Sequence, residues 1–204
     1  KTNRNQPRTL PASVQLYGGK EVKMIISPDD YLIDLDGVYR WSPGRVRAAW
    51  EHAYSGLYDA VRWGAPAKIV VVCGIPASGK STWIRKNRKS NTVYFDACLD
   101  LPWKRKKILN LIEDAAKKAP PNAALTIDLV WCHTDVIQAH RWNEQRTPDR
   151  RVPREVIEKM ASCFAQNEPN GEAEGFDSYR VILRSVEPTP IRGSFWRVID
   201  NQLG

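Results

Sequence analysis

The chain has 204 residues, of which 42% are hydrophobic and 26% charged. That gives room for one domain of ordinary globular composition, since domains run to roughly 100–200 residues, and it excludes a chain disordered throughout. Lys and Arg (31) exceed Asp and Glu (23) by 8, which fits a polyanionic partner such as nucleic acid or nucleotide phosphate and a merely soluble basic enzyme equally.

Residues 1–20 carry two prolines, the Gly18-Gly19 pair and little periodicity. They read as a flexible or surface-hugging arm. Their polar start lacks the apolar centre of a secretory signal, so a cytoplasmic protein is expected. Residues 21–204 read as one domain without an internal repeat. Five apolar runs are expected to be strands: Val22 to Ser27, Lys68 to Cys73, Thr92 to Asp96, Ala124 to Leu129 and Tyr179 to Leu183. Several are continuous rather than alternating, as in strands buried on both faces.

Helical patterns fall between the runs. Ser42-Pro43 opens one as cap and first residue, and Gly64 closes it. Its apolar stripe runs through Val46, Ala49, Trp50, Ala53, Leu57, Ala60 and Val61. Ser81 to Asn87 is a second helix. Ile108, Leu111, Ile112 and Ala115 mark a third, stopped by Pro120-Pro121. Thr134 is placed as the cap of a fourth, through His140. Val156 to Phe164 marks a fifth. Alternating strands and helices imply an α/β fold with a parallel sheet. No apolar run approaches the roughly 20 residues that span a bilayer, so no membrane partner is expected.

The four cysteines, Cys73, Cys98, Cys132 and Cys163, form no Cys-x-x-Cys pair. They read as buried free thiols in a reducing compartment. His133 and His140 show no ligand spacing and read as packing or surface residues.

The most informative stretch is Gly74-Ile-Pro-Ala-Ser-Gly79-Lys80-Ser81, which fits G-x-x-x-x-G-K-[ST] after a buried strand and at the start of a helix. Glycines let successive N–H groups curl toward phosphate oxygens, and the helix start faces the anion. Lys80 would reach the β- and γ-phosphates, and the Ser81 hydroxyl would bind Mg²⁺. A nucleoside triphosphate, ATP or another, is therefore expected. The five arginines at 141, 146, 150, 151 and 154, split by prolines, favour phosphate forks over a solvated helix face. Arg85 to Lys89 and Lys104 to Lys107 read as plainer basic runs, a nucleic-acid track or simply surface. Trp50 reads as core. Trp41, Trp103 and Trp142 lie beside polar residues, where packing competes with nucleobase stacking.

Gly74 to Trp83 resembles the GxPGSGKSTW loop of phage-type polynucleotide 5′-hydroxyl kinases and of the wider P-loop kinases, including zeta-toxin-like enzymes. Ala77 stands where that family has glycine. The resemblance implies a three-layer P-loop sandwich with a mostly parallel five-stranded sheet and an Arg-rich helical lid over about 141–155. It implies donor contacts from Gly74, Ala77, Ser78, Gly79, Lys80, Ser81 and Thr82. The family's D-D-Y segment is similar to Asp29-Asp30-Tyr31, which gives Asp29 the role of general base. Its strand ending in Asp is similar to Phe95-Asp96, so Asp96 either touches magnesium-bound water or caps the following loop. Its lid is similar to Arg141 to Met160, with Arg146 the lid arginine on the ATP phosphates and Arg141 and Arg150 beside it. Glu174 to Asp177 is similar to a segment near the last strand.

Two departures stand out. The D-D-Y strand precedes the loop here and follows it in the family, which implies a circular permutation of the unit 21–64. Leu32 stands where the family has the arginine that holds a substrate phosphate, and Arg40, Arg45 or Arg47 are the candidates to replace it. Asp36 is a weaker rival base, and Asp128 reads as structural or catalytic alike.

The leading expectation is an ATP- and Mg²⁺-dependent kinase of a nucleic-acid hydroxyl, foremost a 5′-OH end of DNA or RNA, acting in a host cytoplasm if it is a phage protein. The alternatives are a kinase of a hydroxymethylated base such as 5-hydroxymethyluracil in phage DNA, a small-molecule or nucleotide-sugar kinase, and an NTP-dependent binding module.

Overall fold

The computed structural model describes residues 14–17, 20–119, 125–184 and 197–199. Val14–Tyr17 (β1) and Lys20–Lys23 (β2) form an antiparallel hairpin that lies against helix Pro43–Gly64 (α1). β1 lies within the expected arm, and residues 1–13, 18 and 19 fall outside the described residues. Ile25–Ile26 (β3) is separate from β2. The expected strand over 22–27 is therefore two short ones, divided at the buried Met24.

The main sheet orders its strands β3, Thr92–Asp96 (β5), Lys68–Cys73 (β4), Thr126–Thr134 (β6), Ser178–Arg184 (β7). All five run parallel. Arg197–Ile199 (β8) adds an antiparallel edge beside β7, in a stretch where no strand is expected from sequence.

β4 is central, and it is buried on both faces. Ile69, Val71 and Cys73 point into one cluster with Ala53 and Leu57 of α1, with Ile108 and Ile112 of Pro102–Lys117 (α3), and with Ile157 and Phe164 of Arg154–Gln166 (α5). Val70 and Val72 point the other way, against Trp83 and Ile84 of Lys80–Asn87 (α2). Helices on both faces of a parallel sheet are compatible with a three-layer sandwich. That explains why β4 reads as an unbroken apolar run.

Local signals account for most element ends. The Ser42 hydroxyl accepts the Arg45 N–H at 3.3 Å, Pro43 sits at the first helical position, and Ala65 ends α1 in the left-handed conformation (φ 42°). β6 runs on to Thr134, beyond the expected Leu129, because Trp131 pairs with Cys73 and residues 130–134 pair with β7. Thr134 is thus a strand residue. Helix Val136–Glu144 (α4) is capped by Asp135, whose carboxylate accepts the N–H groups of Ile137 and Gln138. All four cysteines are free. Cys73 and Cys132 are buried, and Cys98 and Cys163 are partly so. No helix among the described residues is long and apolar enough to cross a membrane.

Arg105 departs from the basic-run reading of 104–107. It is fully buried, with its guanidinium bidentate on Glu174 at 2.6 and 2.7 Å and on the carbonyls of Leu99 and Asn167. This ties α3 to the short helix Gly171–Glu174 (α6) that leads into β7. Asp177 completes the junction, accepting the Ile127 N–H at 2.7 Å. Arg105→Ala would strand a partly buried carboxylate, so a loss of about 3–5 kcal/mol is expected in urea unfolding. Joint apolar replacement of Arg105 and Glu174 should cost less than the two single losses added. A single-variant loss below about 1 kcal/mol, the level of an exposed pair, would contradict the burial argument.

Candidate active site

The chain turns from β4 into the loop Gly74–Ser81 at the carboxyl edge of the sheet. The connections from β4 lead to β5 on one side, and β6 lies on the other, so the strand order reverses here. Ligands of open α/β sheets bind in such a crevice. The loop sits across it. A Cβ on Gly74 (φ 146°) would lie 2.5 Å from the Cys132 carbonyl of β6 and 2.7 Å from Ser78 Oγ, so only glycine fits. The Thr134 hydroxyl donates to the Ser78 carbonyl at 3.3 Å and fastens the loop to β6. Ala77 (φ 61°) and Gly79 (φ 85°) are also left-handed. That conformation costs an L residue such as Ala77 roughly 1–2 kcal/mol.

The curled loop opens inward. α2 starts at Lys80 and has no side-chain cap at Gly79, so its first N–H groups are available to an anion. The Ser78 hydroxyl is buried without a hydrogen-bond partner among the described residues. Lys80 is buried too, and its ammonium donates to the carbonyls of Gly74 and Ile75 at 3.0 Å each. Ser81 Oγ donates to Asp96 Oδ2 at 2.6 Å.

A cavity of about 220 Å³ lies over the loop. Ala77 and Gly79 to Thr82 line it together with Trp142, Arg146 and Arg184. Arg146 follows α4 in a segment pinned by the buried Asn143, whose amide makes two hydrogen bonds to the backbone of Val152 at 2.7 and 3.0 Å. Arg184 ends β7 and stacks on the Trp142 ring at 3.6 Å. Of the expected donor contacts, Ala77, Gly79 to Thr82 and Arg146 line this cavity, whereas the exposed Arg141 and Arg150 do not. Trp142 was one of several stacking candidates in the sequence. Arg184 carried no signal, because it is remote in sequence and sits at the end of an ordinary strand.

Asp29 lies in the 3-10 turn Pro28–Leu32 that follows β3. Ser27 caps the turn, its hydroxyl accepting the Asp29 N–H at 3.3 Å. The Asp29 carboxylate is exposed, and its charge is felt at Lys80, Asp96, Cys98 and Tyr39. The rivals are otherwise engaged. Asp36 is paired with Arg40 at 2.6 Å, and Asp128 with Lys68 at 2.7 Å at the far end of the sheet. Arg40 also pairs with Asp34, and Arg45 reaches Asp34 at 2.5 Å. These guanidiniums hold both exposed carboxyls below their ordinary range. Leu32 is buried.

For a cation, Ser81 and Asp96 offer two adjacent oxygens and fit a hard ion that keeps most of its water. No cluster of three or more acidic, His or Cys ligands occurs among the described residues. A scan against protein-family models finds no matching family, and no curated protein matches the chain.

Burial pushes the Asp96 carboxyl up, with Asp29 and Asp30 adding to it and Lys80 and Ser81 opposing. Its folded pKa lies above the unfolded one, so ionised Asp96 opposes folding at neutral pH and ceases to do so below about pH 4, where the unfolded group is also protonated. Asp96→Asn is therefore expected to raise the thermal midpoint at pH 7. The gain should shrink as pH falls toward about 4. A lower midpoint for the variant at pH 7 would contradict this.

Proposed function

We propose that this protein is a P-loop phosphotransferase that moves the γ-phosphate of ATP to a hydroxyl of a nucleic acid, foremost a 5′-OH end. One observation carries the reading. At the carboxyl edge of the parallel sheet, β4 leads into an anion-receiving loop with an internal lysine (Lys80), and β3 leads into the turn that carries the exposed carboxylate of Asp29.

Phosphoryl transfer asks a protein for positioning, charge neutralisation and a base. The N–H groups of 77–82 and the Lys80 ammonium hold the triphosphate. Lys80 exchanges its two loop carbonyls for phosphate oxygens. Asp29 takes the proton of the acceptor hydroxyl. The freed oxygen bonds to the γ-phosphorus, the bond to the β–γ bridging oxygen breaks, and ADP leaves. Arg146, which lines the cavity together with Lys80, balances charge on the transferring group. Bound at Ser81 and Asp96, Mg²⁺ would supply further neutralisation of the phosphates. The Trp142–Arg184 stack gives the nucleotide a flat cationic wall.

The permuted order fits the same reading. β3 is an edge strand parallel to β5, and a sheet needs spatial neighbours rather than a fixed chain order. The net charge of +8 suits a polyanionic acceptor. One observation favours a second acceptor, a hydroxymethylated base: of the three candidates to replace the phosphate-holding arginine that Leu32 lacks, Arg40 and Arg45 are already paired with Asp34 and Asp36, which leaves the exposed Arg47 of α1.

The test is transfer of labelled γ-phosphate from ATP to 5′-OH DNA and RNA oligonucleotides and to end-blocked DNA carrying 5-hydroxymethyluracil. Asp29→Asn should lower kcat by about 10²–10⁴ while the ATP Kd stays within about threefold. Lys80→Ala should lose ATP binding itself. Transfer by Asp29→Asn at the wild-type rate would remove Asp29 from the chemistry, and label on no acceptor would overturn the nucleic-acid kinase.

A further inference from the structure

The segment 33–40 joins the Asp29 turn to the turn that follows Arg146. Ile33 and Tyr39 form an antiparallel bridge, the Arg40 N–H donates to the Leu32 carbonyl at 2.8 Å, and the Asp34 N–H donates to the Val38 carbonyl at 3.0 Å. This two-rung ladder sets Tyr39 directly against the turn that carries Asp29. The Asp34, Asp36, Arg40 and Arg45 ion pairs brace it from the solvent side. From the opposite direction, Asp149 in the 3-10 turn Pro148–Arg150 accepts the Tyr39 backbone N–H at 3.2 Å. Tyr39 is therefore held between the Asp29 turn and the segment that carries Arg146.

The ring is half-buried on a loop whose neighbours Leu35 and Val38 face solvent. Burial pushes its phenol up to about 12, with the charges of Asp29 and Cys98 raising it and those of Arg146 and Arg150 opposing, so the hydroxyl remains a protonated donor at working pH. Arg40, the one cation of this segment, is paired with Asp34 and Asp36. What the segment presents to an incoming acceptor is one aromatic ring with one hydroxyl.

We infer that Tyr39 is the acceptor-positioning residue: its phenol O–H holds the acceptor oxygen toward Asp29. This rests on the kinase reading above. A hydroxyl fixed between a phenol and a carboxylate has its attack direction set before transfer. The Tyr39–Asp149 bond keeps segment 33–40 and the Arg146 segment in one register.

The test measures kcat and KM for ATP and for a 5′-OH oligonucleotide in wild type, Tyr39→Phe and Tyr39→Ala. Tyr39→Phe keeps the ring, and one lost hydrogen bond to a reacting oxygen should lower kcat/KM for the acceptor by about tenfold to a hundredfold. The KM for ATP should stay within about twofold. Tyr39→Ala should raise the acceptor KM further. An unchanged Tyr39→Phe, or one whose KM for ATP rises in step with its loss of rate, would overturn the role, the second outcome marking Tyr39 as a brace for the Arg146 segment. Wild-type protein that labels no hydroxyl at all would sink the kinase reading and this role with it, and is told apart by requiring no variant.

Discussion

The Lys80 ammonium is buried at the mouth of the central strand, held by two carbonyls of its own loop. Burial opposes its charge, while Cys98, Asp96, Cys132 and Asp29 favour it, and together they leave its pKa above the ordinary value. A cation in such a place is a prepared counter-charge. An anion entering the loop meets unpaired helix N–H groups and this lysine together. The rest of the arrangement follows from where β4 delivers the loop. Gly74 must pass under the Cys132 carbonyl, and Thr134 must reach the Ser78 carbonyl, so β6 shapes the loop as much as its own sequence does.

Around this cation the carboxylates have distinct environments. Asp96 is buried and raised, and it shares a short hydrogen bond with Ser81. Asp29 is exposed on another strand's turn and keeps solvent contact. Asp34 and Asp36 are spent on Arg40 and Arg45. Asp29 combines an open approach with a charge that favours the ammonium. That separation of roles follows from burial and pairing, not from residue type.

Much of this was legible in the sequence. The loop 74–81, the α1 boundaries and the double burial of β4 each rest on local signals that the fold keeps. What was hidden depends on long-range pairing. A strand over 22–27 looks continuous, yet its first half pairs with β1 and its second with β5. Thr134 looks like a helix cap, but the β6–β7 ladder claims it and leaves Asp135 to cap α4. Arg105 hides within a basic run, because only the packing of α6 supplies Glu174 to bury it. Arg184 and Tyr39 reach the site from the end of one strand and from a braced loop. Nothing in their immediate neighbours distinguishes them.

The account's central claim is that the loop 74–81 and Asp29 flank one reacting phosphate. A crystal structure of the protein with Mg²⁺, a non-hydrolysable ATP analogue and a 5′-OH dinucleotide tests it most directly. The account predicts the triphosphate in the loop with its γ-phosphate on the Lys80 ammonium, and the acceptor oxygen within about 3.2 Å of the Asp29 carboxylate. A triphosphate seated elsewhere, or an acceptor oxygen out of reach of Asp29, would contradict it.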